Sequence, residues 1–250
     1  MSVTAGTPMH RTKKPLTMWF RAMWEVATHR TGISAKDLQK IMGFGSYETA
    51  WTWLHKLRNF MARPERSALD GGVQVDDAWF GGNDNRPGRP KPGGKKALVI
   101  VAVEPNGRAR IEHAPNMLTT TTKSFANRNL EENCIVTTDG YKSYNKVSLG
   151  ARSHQRHIQK KERNIVFDPL QSAHFVISLA RRMWLGTYHG GTSKKHLQAY
   201  FDEFEFRYNR RKTKGVGRIV ARLLHSFSLG GRLSYDDIIS RRAFARFETA

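Results

Sequence analysis

A run of consecutive apolar residues, ALVIVAV at 97–103, constrains the fold more than any other stretch of the chain. A strand that is apolar on both faces must be buried on both, inside a sheet covered by other layers. Asn106-Gly107 then predicts a hairpin turn into a second strand over 108–113. The stretch GVQVDDAWFGG at 72–82 precedes them and has the pattern of another strand. Together they predict three antiparallel strands.

Asp76 falls in the middle of the first of these strands, where an unpaired carboxylate is costly to bury. Two explanations stay open for it. It shares a divalent metal ion with Asp139 and a group near His174, or it forms an ion pair with one of the many arginines. Asp139 directly follows a short apolar strand predicted at 134–138, after a helix predicted over 121–133. Ligands collect at such strand ends in open α/β sheets.

The charge balance favours a polyanionic partner. Forty-two Lys and Arg against 21 Asp and Glu leave a net charge of +21, which repels itself unless it is neutralised. Nucleic acid is the partner that this favours. No apolar run reaches the length of a membrane span and the N-terminus lacks the apolar core of a signal peptide, so we expect an intracellular protein. Cys134 is the only cysteine, which excludes a disulfide framework and a cysteine-rich zinc site within this chain.

Three helices are predicted before the sheet. Apolar residues at helical spacing predict the first over 16–29, Ser34 is the predicted N-cap of the second, and the third covers 46–61. The last two are joined by a turn that contains Gly43, which is the pattern of a helix-turn-helix; the alternative is a helical hairpin that caps a larger domain. The predicted DNA contacts lie off the apolar face of the third helix: Tyr47, Trp51, His55 and Arg58.

Two more helices are predicted in the second half of the chain. The first, over 170–185, carries His174 and Arg181 on one face, two turns apart. The second begins at a Ser193 cap. Its apolar stripe is Leu197, Tyr200, Phe201, Phe204 and Tyr208. Its acids are predicted to form a solvated face: Asp202, Glu203 and Glu205. A short helix is predicted after Ser234.

Two basic stretches are predicted to be loops. Residues 83–96 are rich in Gly, Pro and cations, which predicts a hairpin tip whose basic groups touch a nucleic-acid backbone. Residues 152–164 are rich in Arg, Lys and His, which is typical of a solvated surface loop.

Four motifs resemble those of a known family. VDDAWFGG, TDGYKSY, RRMWLGTYHG and KKHLQAYFDEFEFRYNRR are similar to motifs of DDE-type bacterial insertion-sequence transposases, in the branch with an N-terminal zinc ribbon and a helix-turn-helix. The spacing of Asp76, Asp139 and His174 is similar to that of the family's metal-binding residues. The resemblance covers nearly everything from Ser2 to Arg211. The family's zinc ribbon would precede Ser2, so no zinc is expected in this chain.

The resemblance implies an α/β fold, with a ribonuclease H-like mixed sheet flanked by helices and a small all-α helix-turn-helix domain before it. The predicted divisions are a basic tail at 1–15, the helix-turn-helix domain at 16–62, the catalytic domain at 72–211 and a basic C-terminal extension at 212–250.

The resemblance also implies a site. Asp76, Asp139 and His174 would hold two Mg²⁺ or Mn²⁺ ions. The family usually has Glu, and in some branches Asn, where His174 stands; a different alignment places Leu179 there. Supporting residues implied around the site are Asp77 beside the metal ligands, and Arg181 and Arg182 on DNA phosphates.

The implied activity is cleavage of transposon ends and joining of the freed 3′-hydroxyl to target DNA by two-metal-ion chemistry. The implied partners are double-stranded DNA, as terminal repeats and as target, and further copies of the chain on DNA, in the bacterial cytoplasm at the nucleoid. One alternative is a catalytically degenerate, transposase-derived DNA-binding protein, which the missing third acid and ribbon favour. An RNA-binding structural protein would explain the charge but not the aspartate spacing.

Overall fold

The computed structural model describes residues 3–61, 66–81, 96–157 and 168–240. The chain forms two units. The helical unit consists of Met1–Glu65, Met183–Gly191 and Asp202–Arg242, and the sheet unit of Arg66–Arg182, Thr192–Phe201 and Ala243–Ala250. Residues 83–95 of the predicted hairpin tip and residues 158–164 of the predicted basic loop lie outside the described residues.

A mixed five-stranded sheet forms the centre of the sheet unit. Its strands are β1 (Gly72–Phe80), β2 (Ala97–Val103), β3 (Ala109–Ala114), β4 (Ile135–Thr138) and β5 (Ser153–Arg156). Their order is β3-β2-β1-β4-β5, with β2 antiparallel to both neighbours, β4 parallel to β1 and β5 parallel to β4. This confirms the predicted fold class, an α/β protein with a ribonuclease H-like mixed sheet.

Nine helices lie in the described part of the chain. They are α1 (Leu16–Thr28), α2 (Ala35–Met42), α3 (Tyr47–Met61), α4 (Thr119–Asn129), α5 (Lys146–Leu149), α6 (Gln171–Tyr188), α7 (Leu197–Tyr208), α8 (Val216–Ser228) and α9 (Tyr235–Ser240).

The apolar run and its hairpin are where the sequence predicted them. Every residue of β2 is buried. Asn106 has a φ of 58°, the left-handed conformation that Asn adopts more readily than most residues, and the Gly107 N–H donates to the Glu104 carbonyl at 2.8 Å. A tight turn therefore joins β2 to β3.

Part of the predicted basic loop is instead the strand β5. Residues 153–156 pair with β4 at the edge of the sheet, and most of their side chains are exposed. A polar edge strand is held by backbone hydrogen bonds, so it leaves no apolar alternation in the sequence. The predicted helix over 121–133 extends too far, since α4 ends at Asn129.

The predicted caps of the helical unit are confirmed. The Ser34 hydroxyl accepts the Asp37 N–H at 3.1 Å, and the Ser46 hydroxyl accepts the Thr49 N–H at 3.1 Å. In the core, the rings of Trp19 and Trp53 stack with centroids 3.6 Å apart. The caps fix where α2 and α3 begin, and the stacked rings join α1 to α3.

The core of the helical unit also includes residues that the sequence did not assign to it. Helix α8 was not predicted, yet Leu223 and Phe227 are fully buried in this core. Met9, in the predicted tail, is buried, and the Trp19 indole donates to the Thr12 hydroxyl at 3.1 Å. The short helix predicted after Ser234 is confirmed as α9.

The prediction that the acids of α7 face solvent is wrong. Asp202, Glu203 and Glu205 are all buried. Glu203 binds the Arg58 Nε at 2.8 Å and the Arg207 Nη2 at 2.6 Å, and accepts the Tyr188 hydroxyl at 2.9 Å. Because two guanidinium groups and a phenol satisfy its carboxylate, Glu203 is buried without an unpaired charge.

Gln198, in α7, covers the outer edge of the sheet. Its side-chain oxygen accepts the His113 N–H at 2.7 Å, and its side-chain nitrogen donates to the Ile111 carbonyl at 3.0 Å. Both partners belong to β3, the edge strand opposite β5. The amide therefore makes the two hydrogen bonds that a neighbouring strand would make.

No helix in the described part of the chain is long and apolar enough to cross a lipid bilayer.

Candidate functional site

The strand register places Asp139 beside Asp76. The parallel pairing of β1 with β4 ends at Val75 and Thr138, so the two aspartates are the next residues on neighbouring strands. Such strands lie about 4.8 Å apart, and residues paired in register extend their side chains to the same face. Two carboxylates that are far apart in the sequence are thereby brought together.

Gln74 anchors helix α6 to this face of the sheet. It lies two residues before Asp76, so strand alternation puts both side chains on the same face. Its side-chain oxygen accepts the N–H groups of Ser172 at 2.9 Å and Ala173 at 3.1 Å, two donors at the start of α6 that have no partner within the helix. This brings His174 to Asp76, with Nε2 at 3.3 Å from Oδ2. Gln74 was not among the predicted site residues, although its alternation with Asp76 along β1 could have identified it.

Asp168 holds the other side of the imidazole ring. Its Oδ2 lies 2.6 Å from His174 Nδ1, and its Oδ1 accepts the Leu170 N–H at 2.9 Å. Burial alone would raise the pKa of Asp168, but the Leu170 N–H and the His174 ring lower it below its usual value. His174 thus lies between two carboxylates. The Asp-Pro pair just before α6 is the sequence signal that could have identified Asp168.

Asp76 has an unusual protonation equilibrium. Burial raises its pKa, and the charges of Asp77 and Asp139 raise it further; the Asp77 N–H and His174 act in the opposite direction. The net result is a pKa of about 6 instead of 3.8. The Asp77 N–H donates to Asp76 Oδ1 at 2.8 Å, so Asp77 acts on Asp76 through its backbone and its charge. Neighbouring acids therefore make this carboxylate a good partner for a cation.

The donors present fit a hard divalent cation at the two aspartates. Mg²⁺ and Mn²⁺ prefer carboxylate oxygens, and imidazole suits Mn²⁺ better than Mg²⁺. Within the described residues, no three His, Cys, Asp or Glu side chains are arranged to hold a metal ion. The register assembles Asp76 with Asp139, while His174 contacts Asp76 and Asp168.

Arg181 and Arg182 lie further along α6, and both are exposed. The Arg181 guanidinium is 5.7 Å from the centre of the Phe80 ring and 3.5 Å from the Trp79 carbonyl, at the end of β1. Phe80 extends from the same face of β1 as Asp76. Arg181 is therefore on the side of the sheet that carries the aspartates, as its spacing from His174 predicted.

The structure changes the predicted DNA-contacting set on α3. Tyr47 is half exposed and Trp51 is partly buried. His55 and Arg58 are only 4% and 1% exposed, and Arg58 is bound to Glu203, so burial removes both from that set. Arg58 is buried because its guanidinium contacts Glu203 of α7 and Tyr188 of α6, and neither contact was predicted.

The order of this sheet, and the aspartates on its adjacent parallel strands β1 and β4, agree with the class that the sequence motifs resemble, the DDE-type transposases. Residues 68–209 match the ISXO2-like transposase domain family, and the chain belongs to this family. One similar solved structure is a pre-cleavage Mos1 transpososome, at 12% identity and a TM-score of 0.26, over 90% of this chain and 82% of that one. A likeness this distant says nothing about function. No curated protein matches the sequence.

Proposed function

We propose that the chain is an insertion-sequence transposase that cleaves DNA at the ends of its element and joins the freed 3′-hydroxyl to target DNA. Asp76 and Asp139 are the residues that hold two divalent metal ions. The observation that carries this proposal is the register that puts these two acids side by side in a chain of the ISXO2-like transposase family.

The chemistry follows from the groups present. When bound, Mg²⁺ or Mn²⁺ supplies an activated water and a stabilised leaving oxygen for phosphodiester cleavage. With a pKa of about 6, Asp76 is mostly ionised at neutral pH, as a metal ligand must be. Asp168 orients the His174 ring toward Asp76. Arg181 and Arg182 hold DNA phosphates near the cleaved bond. No side chain of the protein needs to become covalently attached to DNA.

The test compares Asp76→Asn and Asp139→Asn with Asp70→Asn, a control at an exposed acid two residues before β1. On a plasmid that carries the ends of the element, both site variants should lose Mg²⁺-dependent cleavage and keep DNA binding, while the control keeps both. Mn²⁺ should raise the melting temperature of the wild type and the control but not of the site variants. Cleavage at the wild-type rate by either site variant would refute the proposal.

A second candidate function is a catalytically degenerate DNA-binding protein that keeps the transposase fold. The contacts of His174 favour it, because its imidazole is engaged by Asp76 and Asp168 where the family usually has a metal-binding acid. The variant His174→Glu separates the two functions. In a working site it should keep or increase Mg²⁺-dependent nicking, whereas a degenerate site should be inactive in both forms.

The partners follow from the reaction. Two transposon ends must be held together, so we propose that the chain assembles as at least a dimer on double-stranded DNA, in the bacterial cytoplasm. Of the four α3 residues predicted to contact DNA, Tyr47 is exposed and Trp51 is partly exposed, and we propose that these two bind DNA. Measuring the mass of the complex with and without end DNA tests the assembly; a monomer bound to each end would contradict it.

A further inference from the structure

The helical unit contains a cleft of about 540 Å³ between the end of α1, the end of α7 and the start of α8. The cleft has an apolar floor. The apolar residues that line it include Val26, Phe206, Val216, Ile219 and Leu223. Four arginines line it as well: Arg30, Arg207, Arg210 and Arg211. Among the described residues that line it, none is acidic.

Two of these arginines are held against aromatic rings. The guanidinium of Arg210 lies 3.9 Å from the centre of the Phe206 ring, and that of Arg211 lies 3.9 Å from the centre of the Tyr208 ring. Each guanidinium also donates from Nη1 to a backbone carbonyl, that of Arg210 to Phe206 at 3.1 Å and that of Arg211 to Tyr208 at 2.9 Å. The stacking and these hydrogen bonds fix the orientation of both groups, which lowers the entropy lost when they bind a phosphate. Arg207 forms an ion pair with Glu203. Arg30, which is exposed, completes the set of cations at the cleft.

The sequence around the cleft adds to its positive charge. Residues 206–235 contain no Asp or Glu. Lys212 and Lys214 follow the stacked arginines, and Arg218 and Arg222 lie one turn apart on the exposed side of α8. A concave surface with charges of one sign concentrates the opposite charge, which favours binding of an anion.

We propose that this cleft is a second DNA-binding site, distinct from both α3 and the aspartates. It binds the sugar-phosphate backbone, with phosphate oxygens on Arg30, Arg210 and Arg211 and the apolar faces of deoxyriboses on Val216 and Ile219. The alternation of charged and apolar groups along the backbone matches the charged rim and apolar floor of the cleft. A second copy of this chain fits poorly, because the net charge of each copy is +21. The inference rests on DNA being the substrate but not on its cleavage.

The test measures binding of a short fluorescein-labelled DNA duplex of random sequence by anisotropy, with EDTA present. The full chain carries Asp76→Asn so that no cleavage can occur. Adding Arg30→Gln and Arg211→Gln should raise Kd by at least about tenfold, since each removes a charge-assisted contact. It should also reduce the slope of log K against log salt by about 2, because two phosphate contacts are lost.

The matched control replaces Lys14 and Arg21, two exposed cations of the same unit that do not line the cleft, by Gln. It loses the same charge and should nearly keep the parent salt slope. The pair Arg30→Lys and Arg211→Lys keeps the charge and should recover most of the slope. Melting temperatures identify any variant that is misfolded. If the glutamine pair is misfolded, the lysine pair takes its place in the comparison. The lysine pair should then raise Kd, because it lacks the geometry of the guanidinium groups.

Two results would overturn the inference. One is a cleft variant that binds DNA with the same affinity and salt slope as the control. The other is an acidic peptide that binds with an affinity dependent on Arg30 and Arg211 while DNA affinity does not depend on them. Because cleavage is not measured, failure of the proposed catalysis leaves these outcomes unchanged.

Discussion

Glu203 in the helical unit and Asp76 in the sheet unit are both acids in largely buried positions, with 1% and 14% of their side chains exposed. Burial alone would raise both pKa values. At Glu203 the charges of Arg58 and Arg207 reverse this and lower the pKa to about 2. At Asp76 the nearby acids Asp77 and Asp139 add to the effect of burial, and the pKa is about 6.

The difference distinguishes an acid that is neutralised within the chain from an acid that can still attract a cation. Glu203 has its counter-charges within the chain, so it links α3 to α7 without leaving an unpaired buried charge. Asp76 lies next to other carboxylates, and a cation that binds there gains their combined attraction. A buried acid whose neighbours are acids is therefore a better indication of a site than burial alone.

The largest effect on stability is expected from a substitution of Glu203. Glu203→Gln leaves the buried guanidinium of Arg58 and the partly buried guanidinium of Arg207 without their counter-charge, which should lower the free energy of unfolding by about 3–5 kcal/mol. Urea denaturation followed by circular dichroism measures this. The matched variant Glu48→Gln, at an exposed acid of α3, should change it by less than about 0.5 kcal/mol. A loss at Glu203 no larger than that at Glu48 would mean that the network does not stabilise the fold.

At Asp76, by contrast, removal of the charge is expected to increase the free energy of unfolding. Its pKa is raised on folding, so its charge destabilises the folded chain as the pH rises from 3.8 through 6. Without divalent ions at neutral pH, Asp76→Asn should therefore raise the free energy of unfolding by about 1–3 kcal/mol. Excess Mn²⁺ should reduce or reverse this advantage because only the wild type has the ligand. Destabilisation by Asp76→Asn in EDTA would contradict the comparison.

The pH dependence of stability is a second way to compare Glu203 with Asp76. The contribution of Glu203 is full above its ordinary pKa of 4.5 and is lost as the pH falls toward 2. The difference in stability between wild type and Glu203→Gln should thus shrink in acid. The advantage of Asp76→Asn over wild type should also shrink in acid, through the separate window from pH 6 down to 3.8. Differences that stay constant over both windows would show that these pKa values are not shifted.

The smallest effect on stability is expected at Asp168, whose side chain is 38% exposed. Asp168→Asn should change the free energy of unfolding by no more than about 0.5 kcal/mol, because exposed ion pairs contribute little. It should nevertheless lower metal-dependent cleavage by about 10- to 100-fold, since it releases the ring of His174. NMR signals of that ring should shift and broaden at the same time. Unchanged ring signals would show that Asp168 does not position His174.

The sequence was sufficient to predict what depends on local pattern. The strands β1 and β2, the placement of Asp76 and Asp139, and the apolar stripe of α7 all follow from periodicity. The pairing of Arg58 with Glu203 joins residues 145 positions apart, and no local signal in α3 or α7 specifies it. For the same reason the acids of α7 were predicted to face solvent. Helix α8 was missed because its cations obscured an apolar spacing that ends in Leu223 and Phe227.

Because the amide of Gln198 covers the edge of β3, this edge is uncovered during part of the synthesis of the chain. The edge of β3 is complete about 85 residues before Gln198 leaves the ribosome. During that interval the N–H of His113 and the carbonyl of Ile111 are open to strands from other nascent chains. A chain that stops before α7 would keep this edge open permanently, so premature termination should yield aggregates rather than a smaller folded protein.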